Sequence, residues 1–177
     1  MISRIALLIF FANLCISWGF YAHKNIHVEA AKKCPPALGS FLLKHEDQLR
    51  EAAVNADRRK FADKREGPKH YIDLEFFGEN PLEKIQWPWD SLNNHYGSED
   101  FQKNGILPWE IRRVYYQLVK AFAEGNPNQA FRLLGDLGHY VSDACVPLHT
   151  TENYNGQLTD QKGIHGLWES DIPEGYA

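Results

Sequence analysis

Residues 135–169 constrain the fold more than any other stretch, because side chains of the kinds that bind metal ions recur there at helical spacings. Five such residues fall within it: His139, Asp143, His149, His165 and Glu169. The first two and the last two stand four residues apart, and residues so spaced project from one helix face, one turn apart. That density is typical of a site for several metal ions rather than of an ordinary surface. The stretch therefore predicts helices that carry a metal centre.

Apolar residues at helical spacing predict further helices along the chain. We expect helices from about residue 18 to 34, 36 to 54, 108 to 124 and 127 to 144, and a last helix that begins near residue 163. Asn126 followed by Pro127 and then Gln129 is typical of a capped helix start. No alternating pattern predicts a strand. With 177 residues the chain is long enough for a single multi-helix domain, so we expect an all-α fold.

Two of these helices are expected to bury an apolar face. In the helix from 108 to 124 the predicted buried stripe is Ile111, Val114, Tyr115, Leu118, Val119 and Phe122. In the helix from 36 to 54 the predicted face is Leu38, Phe41, Leu42, His45 and Leu49. Residues 61–105 have weak periodicity and several prolines, so we interpret them as a long irregular loop with short helical turns.

Residues 1–17 have the features of a secretory signal peptide. A positive charge precedes an apolar run, and small residues stand at positions −3 and −1 before a cut at Trp18. The run is too short to span a membrane. We therefore expect an exported protein, periplasmic or secreted, in which residues 18–177 form the domain without stable membrane insertion. An uncleaved N-terminal anchor and a lipoprotein linked through Cys15 are the alternatives.

Charge and cysteine content limit what the mature chain can bind. The signal holds one arginine and no acidic residue, so its removal takes the formal net charge from −4 to −5. A net acidic chain is not typical of proteins that bind duplex nucleic acid through basic patches. Two cysteines remain, Cys34 and Cys145. In an exported protein they could form one disulfide, and the alternative is two buried free thiols.

Three further ligand candidates precede the opening stretch: His23, Asp57 and His70. All eight candidates are nitrogen or carboxylate ligands, and a set without thiolates fits hydrolytic zinc. Taken singly, each could be an ordinary core or surface residue, and the repeated spacing is what favours a site. The other three histidines lack such a pattern, and we interpret them as structural or surface residues: His27, His45 and His95.

The candidates and their order resemble the superfamily of S1/P1 nucleases and zinc-dependent phospholipases C. The motifs that carry the resemblance are Trp18-Gly-x-x-x-His23, Asp57, His70-Tyr-Ile-Asp73, His139-x-x-x-Asp143, Pro147-x-His149 and His165-x-x-x-Glu169. They cover nearly all of residues 18–177. The resemblance implies a mostly helical fold of the phospholipase C/P1 nuclease type and three bound zinc ions.

The resemblance also implies which residues bind each zinc ion. In this superfamily the N-terminal Trp that signal cleavage creates binds zinc through its amine and its carbonyl oxygen. One ion would take Trp18, His23 and one oxygen of Asp143, a second would take Asp57, His70, His139 and the other oxygen of Asp143, and the third would take His149, His165 and Glu169. A residue that bridges two ions must be a carboxylate, which explains why an aspartate stands at position 143.

The reaction that the resemblance implies is hydrolysis of a phosphodiester by a hydroxide that bridges two zinc ions, without a side-chain nucleophile. Asp57 and Asp143 would be catalytic through the zinc ions they hold. A cation near the phosphorus would add electrostatic stabilisation. The nuclease branch has an Arg three residues after the early Asp ligand, and here Lys60 takes that position. The alternative for Lys60 and its neighbours Arg58 and Arg59 is a solvated basic turn.

Other features divide between the two branches. The four residues between the N-terminal Trp and its His match the nucleases. In nucleases an aromatic residue after the second His ligand stacks on a base, and an Asp two residues further on bonds that base. Tyr71 and Asp73 occupy these positions, although Tyr71 in the core and Asp73 as a helix cap would explain them equally simply. Glu169 matches the phospholipase pattern instead of the Asp usual in nucleases.

We therefore expect an S1/P1-type nuclease, a single-stranded nucleic acid endonuclease and 3′-nucleotidase. A zinc-dependent phospholipase C that acts on phospholipid head groups is the alternative, and a non-catalytic secreted zinc-binding protein is the third interpretation. Superfamily members continue with further helices, whereas this sequence ends eight residues after Glu169. A fragment truncated at the C-terminus is therefore part of the expectation, and the sequence leaves the oligomeric state open.

Overall fold

The computed structural model describes residues 19–176, and every regular element within them is helical. The α-helices are α1 (Phe20–Lys33), α2 (Pro36–Lys44), α3 (Glu46–Ala52), α4 (Asn55–Lys60), α5 (Pro81–Lys84), α6 (Trp89–Tyr96), α7 (Ser98–Lys103), α8 (Leu107–Ala123), α9 (Pro127–Ala144), α10 (Ile164–Gly166) and α11 (Ile172–Gly175). Three 3-10 turns and one π-helical turn complete the set: Gly67–His70, Leu74–Phe77, Pro147–His149 and Leu167–Asp171. The described residues contain no strand, which confirms the predicted all-α fold.

Helices α8 and α9 pack along each other and form the main core. Helix α9 begins as predicted, because Asn126 Oδ1 accepts a hydrogen bond from the Gln129 backbone N–H at 3.1 Å and Pro127 takes the first helical position. Buried side chains of the core are Ala56, Leu107, Val114, Leu118, Ala121, Ala130, Leu133 and Tyr140. This core fixes the position of α9, whose other side contacts α1, α3 and α4.

Two glycines let α9 approach its neighbours closely. A Cβ at Gly135 would lie 2.6 Å from the Cβ of Ala52 in α3, and a Cβ at Gly138 would lie 2.4 Å from Nε2 of His27 in α1. Both separations are shorter than van der Waals contact, so a larger residue would push the helices apart. The His27 ring nitrogens lie 2.8 and 3.0 Å from the carbonyl oxygens of His23 and Gly135. His27 therefore has a structural role, and the close approach sets the His23 end of α1 beside α9.

The helix predicted from residue 36 to 54 is wrong as a single element. The chain leaves helical geometry at His45, whose φ is −114° and ψ is 36°, and helix α2 ends there. The His45 ring lies 5.1 Å from the ring of Phe41, which is 44% exposed rather than buried. Helix α3 restarts at Glu46, and the shift of direction lets Leu49 face the core. Periodicity alone does not detect a break that keeps apolar residues near one face.

Residues 72–109 build a second core that the weak periodicity of this region did not predict. Its buried members are Ile72, Phe77, Leu92, Phe101 and Trp109. The rings pack edge to face, for example Phe101 against Trp109 with centroids 4.9 Å apart, a geometry that aromatic pairs prefer. The short helical turns expected here are present as α5, α6 and α7. Aromatic packing, rather than long helices, orders this region.

The stripe predicted for the helix from 108 to 124 is partly wrong. Val114 and Leu118 are buried as expected, but Tyr115, Val119 and Phe122 are each about half exposed. The surface of α8 that faces α9 is a narrow stripe: a four-residue step leads from Val114 to Leu118, and a three-residue step leads on to Ala121. The apolar residues of α8 cover a wider part of the helix surface than this stripe. The chain therefore has more apolar residues on α8 than its contact with α9 uses.

The cysteines differ from both alternatives. Cys34 and Cys145 are free thiols, Cys34 is partly exposed, and Cys145 is exposed. The proposed disulfide is wrong, and so is the burial of both thiols. Among the described residues no helix combines the length and apolar character needed to cross a bilayer. The predicted signal peptide and Trp18 lie outside the described residues.

Candidate metal centre

Helices α1, α4 and α9 and the 3-10 turn before residue 71 carry five buried ligand-type side chains into one place. We call this set the deep cluster: His23, Asp57, His70, His139 and Asp143. Two groups of three among them have ligand atoms that lie within 4.8 Å of one another: His23 with Asp57 and His139, and His70 with His139 and Asp143. The deep cluster could hold metal ions, and its two groups share His139.

The two oxygens of Asp143 face different histidines. Oδ1 lies 3.4 Å from His23 Nε2, whereas Oδ2 lies 2.9 Å from His70 Nδ1 and 3.4 Å from His139 Nε2. The Asp57 carboxylate lies on the same side, with Oδ1 3.6 Å from His139 Nε2. A carboxylate that presents one oxygen to each of two groups has the geometry of a bridging ligand.

The spacing of the deep cluster fits a tetrahedral metal ion. Zinc binds nitrogen and oxygen ligands at about 2.0–2.1 Å, so two ligand atoms of one tetrahedral ion lie about 3.3–3.4 Å apart. The separations from Asp143 to His23 and His139 are both 3.4 Å. Atoms so placed are too distant for strong hydrogen bonds to each other and suitably spaced to surround an ion.

A second group of three, which we call the shallow cluster, lies nearer the surface: His149, His165 and Glu169. Glu169 Oε1 lies 2.7 Å from His149 Nε2, and Glu169 Oε2 lies 2.9 Å from His165 Nε2. His149 sits in a 3-10 turn, His165 in α10 and Glu169 in the π-helical turn. The contacts are hydrogen bonds, and an ion between them would need the atoms to separate by roughly half an ångström.

Hydrogen bonds away from the clusters orient four of the five histidines. In each case Nδ1–H donates to an oxygen, which directs Nε2 toward the cluster. The acceptors are Ser142 Oγ for His23 at 2.8 Å, the Ala53 carbonyl for His139 at 2.8 Å, the His70 carbonyl for His149 at 2.5 Å and the Tyr154 carbonyl for His165 at 3.1 Å. This outer arrangement is the one that metal-binding histidines use, so the residues fit a metal.

Burial and neighbouring charges set the protonation of the deep cluster. Burial lowers the pKa of the His23 imidazole to about 4, and the nearby His139 acts in the same direction. Burial would raise the pKa of the Asp57 carboxyl, but the hydrogen bond and charge of His139, with Lys60, hold that pKa well below its usual value. A neutral histidine and an ionised carboxylate are the forms that bind metal ions.

In the shallow cluster the carboxylate and its histidines reinforce each other's charged forms. Burial acts to lower the pKa of His149, but the hydrogen bond to Glu169 and the charge of Asp143 outweigh it and raise the pKa to about 9. Burial acts to raise the pKa of Glu169, but hydrogen bonds from His149 and His165 hold that pKa well below its usual value. The side chains of the shallow cluster therefore form an ion pair, and a bound divalent ion could take the place of that pairing.

A cleft of about 380 Å³ opens onto both clusters. Its walls include the three residues that the sequence predicted to contact substrate, Lys60, Tyr71 and Asp73, together with the ligand candidates His70, His149 and His165. The volume is within the range of small-molecule sites. The structure thus gathers the predicted catalytic cation, the predicted substrate residues and the metal-ligand candidates around one space.

The three substrate-site candidates are held differently in the cleft. Lys60 Nζ lies 2.5 Å from Asp57 Oδ1, and the hydroxyl of half-buried Tyr71 donates to the Lys103 carbonyl at 2.8 Å. Asp73 precedes a 3-10 turn but makes no side-chain cap there. Partial burial, followed by the charges of Glu75 and Glu152, raises the pKa of Asp73 to about 6. An acidic and an aromatic side chain therefore line the same cleft as the metal-ligand candidates.

The described chain begins against the clusters. The Gly19 backbone N–H donates to Ser170 Oγ at 2.9 Å, and a Cβ built on Gly19 would lie 3.7 Å from His23 and 3.8 Å from Glu169 Oε2. Gly19 has φ of 75°, a left-handed conformation that favours glycine. Residue 19 is thus within reach of both clusters, and its positive φ explains why glycine stands there.

The sequence did not single out a charged network beneath His70 and His139. Arg59 donates to Glu66 Oε1 and to Asp136 Oδ1, both at 2.9 Å, and Lys69 donates to Glu66 Oε2 at 2.7 Å. The Tyr140 hydroxyl also donates to Glu66. Arg59 is therefore not part of a solvated basic turn. Glu66 stands four residues before His70, the same spacing as the ligand pairs, and that spacing was the available signal.

Comparisons of the chain with protein-family models, with curated proteins and with solved structures found no match. The fold and the site alone therefore define the class of this protein. It is an all-helical domain in which buried histidine and aspartate side chains form clusters that could hold metal ions beside a cleft.

Proposed function

We propose that this protein is an exported, zinc-dependent phosphodiester hydrolase of the S1/P1 nuclease type, which acts on single-stranded nucleic acid and 3′-nucleotides. The observation that supports it most is the shared cleft. Metal-ligand candidates from both clusters, the cation Lys60 and the aromatic ring of Tyr71 line one space of about 380 Å³. Hydrolysis of a nucleic acid phosphodiester would use all three: metal ions for the attacking water, a cation for the developing charge and a ring for the base.

The donor set supports zinc as the metal and three as the number of ions. All candidate ligands are histidine nitrogens and carboxylate oxygens, which suit zinc. In the proposal His23 and Asp143 hold one ion with the Trp18 terminus, and Asp57, His70, His139 and Asp143 hold the second. The shallow cluster holds the third. The separate partners of the two Asp143 oxygens are consistent with its bridging role.

The chain's own residues position the substrate. Bound zinc ions would supply a water that loses its proton near neutral pH. They would also supply positive charge near the phosphoryl oxygens. Lys60 extends into the cleft from α4 and adds a cation for the charge that develops on phosphorus-bound oxygens. Tyr71 offers its ring to a base, since stacking accepts any base. Asp73 offers carboxylate oxygens to the amino groups of the base.

The same wall of the cleft gives the phospholipase alternative a specific observation of its own. Two aromatic rings, Tyr71 and Tyr154, and two carboxylates, Asp73 and Glu152, line the cleft. Aromatic faces with nearby carboxylates bind quaternary ammonium groups such as choline. The second candidate function is therefore a zinc-dependent phospholipase C that hydrolyses phosphatidylcholine.

A substrate panel tests the proposal. Protein that begins at Trp18 is loaded with zinc and given single-stranded DNA, RNA, 3′-nucleotides and phosphatidylcholine in parallel. We expect nucleotides or phosphate to be released from the first three, and EDTA to abolish the release. The Asp143→Asn variant serves as the inactive control. Turnover of phosphatidylcholine alone would select the phospholipase, and bound zinc without turnover of any substrate would select the non-catalytic interpretation.

The N-terminus provides a separate test of the ligand assignment. We expect about three zinc ions per chain when the protein begins at Trp18. A chain with one extra alanine before Trp18 has no free amine at that residue, so we expect it to bind one ion fewer or to bind it more weakly. Metal analysis after gel filtration measures both. Equal zinc content and affinity in the two proteins would remove Trp18 from the ligand set.

A further inference from the structure

His70 differs from the other histidines of the two clusters in how its ring is held. The other four each donate a distant ring N–H to an oxygen at 3.1 Å or less. His70 faces the cluster with Nδ1 instead, and its Nε2 is buried without a hydrogen-bond partner among residues 19–176. A buried nitrogen without a partner is costly, so the position needs an explanation.

A buried carboxylate lies close to that nitrogen, on Glu66. Its Oε1 lies 3.9 Å from His70 Nε2, and the residue is 2% exposed. Glu66 precedes the 3-10 turn that ends at His70, so the two side chains stand on one short segment. A movement of about 1 Å would bring the pair to hydrogen-bonding distance.

Three donors fix the Glu66 carboxylate in this position. Arg59 Nη2 lies 2.9 Å from Oε1, Lys69 Nζ lies 2.7 Å from Oε2, and the Tyr140 hydroxyl donates to Oε1. Tyr140 is fully buried, and its ring packs against the His70 ring with centroids 5.3 Å apart. The two cations keep Glu66 charged, and the Tyr140 contact limits how His70 can rotate.

We propose that Glu66 is a positioning residue that keeps the proton of His70 on Nε2, so that Nδ1 is free to bind a metal ion. A proton on Nδ1 would point at Asp143 Oδ2, 2.9 Å away, and would occupy the direction that a metal ion needs. A carboxylate beside Nε2 favours the other tautomer and strengthens the histidine as a ligand. Glu66 and Asp143 thus compete for the single ring proton of His70. Metal binding through Nδ1 requires that this proton be on Nε2, the nitrogen beside Glu66. The inference rests on the metal site of the proposed function and is independent of its substrate.

Zinc affinity provides the test, with a matched control in the same network. Glu110 is also a buried carboxylate near Lys69, at 3.6 Å, but it pairs with Arg113 and faces no histidine of the clusters. We expect Glu66→Gln to weaken zinc binding at the His70 site about 10–100-fold, the usual range for such outer partners, and Glu110→Gln to leave it unchanged. Competition with a chromophoric chelator measures the affinity, and circular dichroism verifies folding.

Two further measurements keep the test decisive if Glu66→Gln does not fold. In wild-type protein labelled with ¹⁵N-histidine, zinc loading is expected to give His70 a protonated Nε2 and a metal-bound Nδ1. Tyr140→Phe, which keeps the ring and removes only the hydroxyl, is expected to weaken zinc binding by less than Glu66→Gln. Zinc bound through Nε2, or equal affinity losses in Glu66→Gln and Glu110→Gln, would overturn the positioning role.

The outcomes separate this inference from the proposed function. Weaker zinc binding in Glu66→Gln, with no turnover of any phosphodiester by wild-type protein, supports the positioning role and overturns the function. Unchanged zinc affinity in Glu66→Gln, with nuclease turnover by wild-type protein, supports the function and overturns the positioning role.

Discussion

The deep and shallow clusters have similar residue types but different origins in the chain. The deep cluster draws its five side chains from residues 23 to 143, and all of them are 9% exposed or less. The shallow cluster draws its three from residues 149 to 169, and the His165 and Glu169 side chains are 20% and 18% exposed. The deep cluster therefore exists only when three helices and a turn have packed, whereas the shallow cluster depends mainly on one local segment.

Two hydrogen bonds join the segments of the two clusters. The Ile72 N–H donates to the His149 carbonyl at 2.9 Å, and His149 Nδ1–H donates to the His70 carbonyl at 2.5 Å. His70 belongs to the deep cluster and His149 to the shallow one, so each orients the other's segment. Because the deep cluster is more buried, we expect changes in it to affect the stability of the whole fold. We expect changes in the shallow cluster to affect mainly the cleft.

The strongest test of this contrast is Asp143→Asn. The change removes a buried charge that faces His23, His70 and His139, so it should cost about 3–5 kcal/mol of unfolding free energy in EDTA. With zinc we expect the loss of up to two ions and a fall in turnover of more than about 100-fold, beyond the range for outer partners. Urea unfolding and metal analysis measure these effects. A stability within experimental error of wild type would show that the deep cluster is not part of the core.

Glu169→Gln is the matched change in the shallow cluster. It removes one charge from side chains that are partly exposed, so we expect a loss of about 1 kcal/mol of unfolding free energy in EDTA and of one zinc ion. The same two measurements apply. If this variant loses as much stability as Asp143→Asn, the distinction between the two clusters fails.

Lys60→Met tests the cation that lies between the deep cluster and the cleft. Lys60 lines the cleft and contacts Asp57, so its removal should lower kcat about 100-fold with little change in zinc content. Arg58→Met is the control, because Arg58 lies on the same helix but pairs with Glu51 at 2.8 Å. Equal kcat values for the two variants would assign Lys60 to the surface and not to the reaction.

Tyr71→Ala tests the aromatic part of the cleft wall. Loss of a stacking ring should weaken nucleotide binding by about 1–3 kcal/mol and spare turnover of lipid. Tyr71→Phe keeps the ring and loses only the hydrogen bond to Lys103, so it should bind nucleotides nearly as wild type does. Nucleotide titration by fluorescence measures both. A larger effect of Phe than of Ala would exclude stacking.

The smallest expected effect concerns Asp73 and pH. Its pKa is about 6 in the folded protein, because of burial and the charges of Glu75 and Glu152, and about 3.9 when unfolded. The folded state therefore binds the Asp73 proton more tightly than the unfolded state does. The stabilisation that results is fully present below about pH 4 and is lost as pH rises through 6. In EDTA, Asp73→Asn should be more stable than wild type above pH 6 and similar near pH 4. A stability difference between Asp73→Asn and wild type that stays the same from pH 4 to pH 7 would contradict the raised pKa.

The parts of the fold that the sequence predicted correctly are those fixed by local spacing. The capped start at Asn126 and Pro127 is present, and the four-residue spacing of His139 and Asp143 places them on one face of α9. The four-residue spacing also places His165 and Glu169 together, and His149 joins them in the shallow cluster. The zinc ions, their number and the substrate stay predictions.

The features that the sequence predicted wrongly depend on which neighbouring element packs against a helix face. Apolar Tyr115, Val119 and Phe122 were assigned to the core, but α9 covers a narrower stripe of α8. His45 breaks a helix without disturbing the apolar spacing around it. The thiol of Cys145 is exposed, and no local pattern reveals that. Periodicity identifies which residues can share a face, but not how much of that face another helix will contact.

The sequence by itself determined the chemistry of the site, because metal binding requires particular side chains and helical spacing aligns them within each segment. Tertiary structure alone decided how the segments combine. It placed His23 beside Asp143, brought both clusters to one cleft, and set Glu66 near His70 through Arg59, Lys69 and Tyr140. His23 and Asp143, for example, are 120 positions apart in the chain, and only the packing of helices brings their side chains to 3.4 Å.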